Sequence, residues 1–283
     1  MELNKIHCGN SLDLLKQLDD ESVDMVMTSP PYDNLREYDG CTWNFEVFKS
    51  IADQLLRVVK TGGVIIWVVA DQTTNGSESG TSFRQALYFM QIGFNLHDTM
   101  IYKKHNYIPL THNRYEQEFE YMFCFSKGKP KTFNPIMVES KWGGTETWGK
   151  TKMPYADNTY KIKEKSVVNE FKQKGNVFEY ITGKLANENI DHPAMFPKQL
   201  AKDQIISWTN KGDLVLDPFM GSGTTAVACR ELNREWIGFE ISQKYVDIAN
   251  DRLNKQVVQC SLFEGESDEW KTRKKEDCPS MVW

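Results

Sequence analysis

A short apolar run that ends in an acid and breaks at once into a glycine loop constrains this chain more than any other feature. K-G-D-L-V-L-D-P-F-M-G-S-G-T-T-A-V-A-C-R-E-L (Lys211 to Leu232) reads as strand, tight loop and helix. W-I-G-F-E-I (Trp236 to Ile241) then reads as a second strand, followed by a helix around Tyr245 to Leu253. A strand that hands over to a helix and is followed by another strand needs a crossover, so the local order predicts parallel pairing.

The same alternation runs through the first half. I-H-C-G-N is a strand and turn, Ser11 caps a helix with Leu12, Leu15 and Leu18 on one face, and S-V-D-M-V-M-T is a buried strand. That strand stops at Ser29-Pro30-Pro31-Tyr32, where two prolines forbid both helix and ladder. Phe45 to Lys60 is amphipathic, Gly62-Gly63 break it, and V-I-I-W-V-V-A reads as a central strand. Polar residues 71–80 form a loop, Phe83 to Met90 resume a helix, and M-I-Y-K-K and E-Y-M-F-C-F are further strands. A helix also follows Phe196-Pro197 through Leu200, Ile205 and Trp208. The whole predicts an α/β fold with a doubly wound, largely parallel sheet.

Residues 131–189 lose this periodicity and turn to Trp, Gly, Thr, Asn and Lys, which predicts an inserted region. Within it residues 141–175 carry 8 lysines against 4 acidic residues, a net of +4, interleaved with Trp142, Trp148, Tyr155, Tyr160 and Phe171. That mixture suits a surface that tracks phosphates and stacks on bases, and equally a solvated face with a few core anchors. The organisation is therefore 1–130 and 191–262 as two halves of one domain, 131–190 as the insert, and 263–283 as an acidic tail.

With 283 residues, 40 % hydrophobic and 12 % aromatic, the chain can bury a sizeable core, which excludes global disorder. The longest apolar run, Val64 to Ala70, is far short of a membrane span and the N-terminus lacks a signal-peptide layout, so a cytoplasmic location is expected. Six cysteines without a C-x-x-C pair suggest neither a zinc ribbon nor a disulfide framework. The formal charge of -5 argues against a general polycation, so any polyanion must meet a local basic face.

Two constellations carry chemistry. Asp217, Phe219, Gly221, Gly223 and Thr224 lie where open α/β sheets bind ligands, and Glu240 lies at the end of the next strand, where a carboxylate can accept from two ribose hydroxyls. The loop is neither G-x-x-x-x-G-K nor G-x-G-x-x-G, and an acid at the strand tip suits a cationic ammonium, so an adenosyl group carrying an amino acid fits better than a dinucleotide. In the other, Ser29, Pro30, Pro31 and Tyr32 form a rigid loop that can hold a hydroxyl, a carbonyl and an aromatic face in fixed relation, the parts needed to hold an exocyclic amino group.

D-P-F-x-G-S-G-T-T together with a P-P-Y loop resembles the S-adenosylmethionine-dependent DNA amino-methyltransferases. The order of motifs, catalytic loop first and cofactor loop last, resembles the β class of that family. His192-Pro193-Ala194-Met195-Phe196-Pro197 and Phe239-Glu240-Ile241 extend the likeness over the chain outside the insert and tail. The resemblance implies a Rossmann-like methyltransferase fold with an inserted recognition region. It implies that Asp217, Phe219, Gly221, Gly223 and Thr224 line the methionine end of S-adenosyl-L-methionine, that Glu240 holds its ribose, and that Phe196 and Pro197 close the pocket. Where family members show Gly-Asp, this chain has Gly9-Asn10, and Asn10 is expected to meet the adenine amino group through its carbonyl.

The resemblance further implies that Ser29 and the Pro30 carbonyl accept the N–H bonds of the target amino group, redirecting the nitrogen lone pair, while Tyr32 stacks on a base flipped from double-stranded DNA. Ser29 at the first motif position leans toward N4 of cytosine, with N6 of adenine as the alternative. Carbon-5 methylation would need a Pro-Cys loop, and the sequence has no Pro-Cys dipeptide. Protein-glutamine methylation uses a related N-P-P-Y loop, which Ser29 and the basic insert count against, and intact motifs count against a non-catalytic DNA-binding module. The resemblance leaves open a cognate restriction endonuclease and a homodimer as partners. Lys103, Lys104, His105 and Arg114 are candidate phosphate contacts, and Asp33, Arg36 and Glu37 candidates near the base, though all of these read more simply as solvated loop residues.

Overall fold

The computed structural model describes residues 1–31, 43–106, 114–146, 151–155, 159–163, 166–182 and 196–263. The first half of the chain gives β1 (Lys5–Cys8), α1 (Ser11–Leu15), β2 (Val23–Thr28), α2 (Phe45–Val58), β3 (Val59–Val69), the hairpin β4 (Thr73–Thr74) and β5 (Ser77–Glu78), α3 (Thr81–Ile92), β6 (Asn95–Lys104) and β7 (Phe119–Ser126). The region expected as an insert gives β8 (Met137–Glu139), β9 (Thr151–Pro154), β10 (Tyr160–Lys163), β11 (Phe171–Gln173) and β12 (Val177–Tyr180). The last part gives α4 (Lys198–Trp208), β13 (Leu214–Asp217), α5 (Thr224–Glu231), β14 (Glu235–Glu240) and α6 (Gln243–Phe263).

Eight strands form one sheet in the order β1-β14-β13-β2-β3-β7-β6-β12. The ladders are parallel from β1 through β3; β7 runs antiparallel to both β3 and β6, and β12 joins the edge parallel to β6. The expected doubly wound, largely parallel sheet is therefore present, with one reversed strand. Because successive side chains on a strand alternate faces, the central strands feed two cores. Met25, Met27, Val64, Ile66 and Val68 pack with α4, α5 and α6 through Leu200, Ile205, Ala226 and Ala249. Val26, Ile65, Trp67 and Val69 pack on the opposite face with α1, α2 and α3 through Leu15, Phe48, Leu55 and Phe89. Helices on both faces make a three-layer sandwich.

Two boundaries differ from the sequence reading, each for a physical reason. Gly62-Gly63 were expected to separate helix from strand; instead β3 begins at Val59 and the pair sits in a register irregularity against β2. A Cβ on Gly63 would lie 2.8 Å from the Asp24 carbonyl oxygen, so the glycine permits close approach of two backbones rather than ending an element. The aperiodic stretch 131–190 is not wholly outside the sheet: Val177–Tyr180 adds its last strand. Only Phe178 of its residues is buried, so no apolar run marks the strand in the sequence. The acidic tail from 264 onward lies outside the described residues, and no helix among the described residues is long and apolar enough to cross a membrane.

Candidate active site

The position of the site follows from the strand order. From β2 the chain winds to β3 on one side, and from β13 it winds to β14 on the other, so the gap between β2 and β13 is a topological switch point, where loops leaving the carboxyl ends part and open a crevice. Ser29-Pro30-Pro31 leave β2 at that gap, and the glycine loop leaves β13 beside it. Ser29 and Pro31 are half-buried and Pro30 is buried, while Tyr32 lies outside the described residues.

The two loops are joined side chain to side chain. Thr28, the last residue of β2, donates from Oγ1 to Asp217 Oδ1 at 2.6 Å. Thr225 Oγ1 donates to Asp217 Oδ2 at 2.5 Å, and the Phe219 N–H donates to Oδ1 at 3.0 Å. Gly221 and Gly223 adopt φ of +53° and +83°, a region that costs a side-chain-bearing residue. Gly223 also packs directly against α6: a Cβ there would sit 2.8 Å from Ala249 Cβ. Arg252 of α6 donates to Ser222 Oγ at 3.1 Å and to Thr224 Oγ1 at 3.3 Å, pinning the loop from behind.

Glu240, at the tip of β14, is held by two backbone donors. The Gly221 N–H reaches Oε2 at 2.8 Å and the Ser242 N–H reaches Oε1 at 2.9 Å. These two bonds fix the carboxylate at the carboxyl end of β14, beside the glycine loop. The Gly9 N–H donates to the Glu240 backbone carbonyl at 2.9 Å, which brings the β1 turn alongside.

The family model of the N6/N4 DNA methylases matches residues 23–251, which include both loops and all the strands of the crevice except β1. The chain belongs to the DNA methylase family. It is 47 % identical over 257 residues to the orphan methyltransferase M.BamHII of Bacillus amyloliquefaciens, covering 88 % of this methylase and 96 % of that relative. It is 28 % identical to the type II methyltransferase M.BglII of Bacillus subtilis, covering 89 % and 69 % of the two chains. Among solved structures it is similar to the M1.HpyAVI–SAM complex, with TM-score 0.59, 25 % identity and 88 % and 98 % coverage. It shares its fold with the cytosine-N4-specific PvuII DNA methyltransferase, with TM-score 0.62, 21 % identity and 92 % and 93 % coverage.

Within the methylase, the structure redirects some of the residues read from sequence. Asp217 is 1 % exposed and each of its oxygens accepts from protein donors, so it braces the glycine loop against β2. Burial pushes its carboxyl up to about 6 from an ordinary 3.8, against the pull of the Thr225, Thr28 and Phe219 donors, and the nearby Glu240 charge pushes the same way as burial. Asn10 spends its carbonyl oxygen on capping α1, accepting from the Leu12 N–H at 2.9 Å, which leaves one lone pair on that oxygen for another donor. Phe219 is partly buried, with Trp43 edge-on at 5.3 Å and Trp67 at 6.4 Å. Phe196 packs partly buried against the core, and Pro197 is the buried cap of α4.

The candidate phosphate contacts have internal partners at the same end of the sheet. Lys103 and His105 pair with Glu179 at 3.4 and 3.0 Å, Lys104 with Glu120 at 2.7 Å, and Arg114 with Glu78 at 3.6 Å. Asp33, Arg36, Glu37 and 192–195 lie outside the described residues. Sequence reasoning missed Thr28, Thr225 and Arg252 as members of the site. Thr28 ends the strand before the proline loop and Thr225 closes the glycine motif, and both donate to the strand-tip acid; nothing in the sequence marks Arg252.

Proposed function

We propose that this methylase transfers a methyl group from S-adenosyl-L-methionine to the exocyclic amino nitrogen of a base flipped out of double-stranded DNA, at N4 of cytosine. The observation that carries the reading is the Thr28–Asp217 bond of 2.6 Å, which ties the residue just before Ser29 and Pro30 to the acid that opens the glycine loop. The residues present fit that cofactor. Glu240 places a carboxylate, fixed by two backbone donors, where a ribose diol would be held, and the glycine loop leaves β13 beside it with a turn that positive φ at Gly221 and Gly223 makes possible. When bound, S-adenosylmethionine supplies an electrophilic methyl group on a sulfonium centre.

The remaining chemistry belongs to the protein. An amino group on cytosine or adenine is a weak nucleophile because its lone pair is delocalised into the ring. Acceptance of its two N–H bonds by Ser29 Oγ and the Pro30 carbonyl favours the pyramidal nitrogen, and two prolines hold those acceptors without a reorganisation cost. Tyr32 supplies a stacking face for the extruded base. Ser29 in the first loop position favours cytosine N4 over adenine N6. The 47 % relative is named an orphan enzyme, which favours action without a paired endonuclease.

The test is incubation with cofactor and unmodified plasmid DNA, digestion to nucleosides and mass spectrometry. N4-methylcytosine is expected; N6-methyladenine would overturn the base assignment alone. Ser29→Ala is expected to remove transfer while cofactor affinity, read by calorimetry, stays within about twofold, because Ser29 faces the target rather than the cofactor. Retained turnover would refute the role given to Ser29.

A further inference from the structure

Helix α4 carries a polar residue where its pattern calls for an apolar one. Leu200, Ala201, Ile205 and Trp208 form the face that packs on the sheet, and Gln204, four residues after Leu200 and four before Trp208, stands in the same stripe and is 1 % exposed. The Trp208 Nε1–H donates to Gln204 Oε1 at 3.2 Å. An indole N–H can only donate, so the amide oxygen has to face it and the NH2 group is turned the other way. That Nε2 has no hydrogen-bond partner among the described residues. Buried donors are normally paired, and one without an acceptor costs more than an apolar side chain of the same shape.

Gln204 borders a cleft of about 100 Å³ between α4, the strands β6 and β12, and the segment that follows β7. Asn134 ties that segment to the end of α4: its N–H donates to the Ser207 carbonyl at 2.8 Å, and its Nδ2 to the Ile206 and Thr209 carbonyls at 3.1 and 3.2 Å. Phe133 is thereby laid against Trp208, with ring centres 4.8 Å apart at 33°, and stays 53 % exposed at the lip. His97 of β6 meets Trp208 edge-on at 5.4 Å. Asp98, half-buried, brings a carboxylate to the same cleft, and its hydrogen bond there is a long one, 3.5 Å from Asn176 Nδ2. β6 lies three places from β2 in the sheet order, so this cleft is separate from the crevice between β2 and β13.

We propose that the cleft is a second, small-molecule site that takes a planar single-ring lactam, the edge found in oxo-pyrimidines. A carbonyl oxygen of the ligand accepts from Gln204 Nε2, the adjacent ring N–H donates to Asp98, and the ring lies along Phe133 and Trp208. Each part answers a group already in place. A donor without an acceptor calls for a carbonyl, the carboxylate calls for an N–H, and aromatic walls call for a flat ring. Size sets the limit of one ring: a cavity of about 150 Å³ holds benzene, and this cleft is smaller and open at its lip. Asp98 disfavours an anion, and a purely apolar ring would leave the Gln204 amide unpaired.

The experiment titrates uracil into the whole 283-residue chain and follows the Gln204 side-chain NH2 pair by nitrogen-15 NMR, with methyl transfer to DNA measured on each variant. Uracil is expected to shift that pair with a Kd of about 1 mM or tighter, and 1,3-dimethyluracil, which keeps both carbonyls and lacks both N–H groups, to bind about tenfold or more weaker. Phe133→Ala, at the exposed lip, is expected to weaken uracil about fivefold or more, and Asp98→Ala to bring uracil down to the level of its dimethyl form. Gln204→Leu is expected to abolish binding; since it also strips Trp208 Nε1 of its acceptor, thermal unfolding checks its fold, and the other two variants decide where it does not fold. Methyl transfer by the Phe133 and Asp98 variants is expected to stay at the wild-type level. Uridine separates two sources of such a ring: binding weaker than that of uracil supports a free base, and equal or tighter binding supports a nucleoside. No shift up to the solubility limit of uracil overturns the proposal and leaves Gln204 to solvent. Uracil binding that survives both Phe133→Ala and Asp98→Ala, or that is lost in Ser29→Ala, places the ligand elsewhere and overturns it as well. Benzene binding as tightly as uracil overturns the lactam assignment. None of these results bears on the methyltransferase reading, which the transfer assay decides by itself.

Discussion

Thr28→Val tests the link between the two loops most directly, because it keeps shape and removes one hydroxyl. Thr28 is completely buried and Asp217 is 1 % exposed, so no solvent can replace the 2.6 Å bond that is lost. A hydrogen bond to a charged group contributes about 1.5–3 kcal/mol, and leaving a buried carboxylate short of a donor costs that full amount. For a chain of this size each kcal/mol moves Tm by roughly 2–4 °C, giving an expected fall of about 3–12 °C at pH 8. The pH dependence sharpens the test. Asp217 titrates near 6 in the folded protein against 3.8 unfolded, so its ionisation weakens the fold as pH rises from 3.8 through 6. Below about pH 6 Asp217 is largely neutral in the folded state and accepts only an ordinary hydrogen bond, worth about 1 kcal/mol. Thermal unfolding of Thr28→Val and wild type at pH 4.5 and pH 8 is therefore expected to show the larger difference at pH 8, with Thr28→Ser close to wild type at both. Equal losses at the two pH values, or none at pH 8, would refute the claim that Thr28 serves an ionised Asp217.

Three further substitutions follow from the same geometry. Gly223→Ala places a Cβ 2.8 Å from Ala249 Cβ at φ of +83°, and is expected to weaken cofactor binding at least tenfold by calorimetry while displacing α6, since the left-handed region alone costs about 1–2 kcal/mol. Glu240→Gln sets an amide where two carboxylate oxygens now accept from the Gly221 and Ser242 N–H groups, and is expected to raise the Kd for cofactor about tenfold or more with the overall circular dichroism unchanged. Asp24, under the sheet, accepts from the Leu214 N–H and pairs with Lys60 and Lys131; burial raises its pKa, and the Lys131 and Lys60 bonds more than reverse that, holding it below the usual carboxylate value. Its contribution is present above the unfolded pKa and is lost as pH falls through the lowered one, so Asp24→Asn is expected to cost about 2–4 kcal/mol in urea unfolding at pH 7 and less toward pH 3.

The sheet was legible because its strands are apolar and bounded by glycine or proline, and each of the central strands read from sequence is present. What escaped were features that depend on pairing across long separations. Val177–Tyr180 joins the sheet through β6, and with only Phe178 of its residues buried it carries no apolar run of its own. Gly62-Gly63 looked like a stop because a double glycine usually is one, yet the crowding of Asp24 against β3 gives them a different use. In the site, residue identities were legible and directions were not. Asp217 was legible as a strand-tip acid, but its bond to Thr28, 189 residues away in sequence, is visible only in the fold.

That long separation explains why catalytic and cofactor motifs can stand at opposite ends of a chain and still act as one site. Winding away from β2 in one direction and from β13 in the other makes these two strands neighbours whatever lies between them in sequence. The intervening segment is then free to vary without moving Ser29 relative to the glycine loop, provided Thr28, Asp217 and Thr225 keep their bonds. Chemistry is fixed by a buried clamp in the rigid sheet, at the junction of β2 and β13.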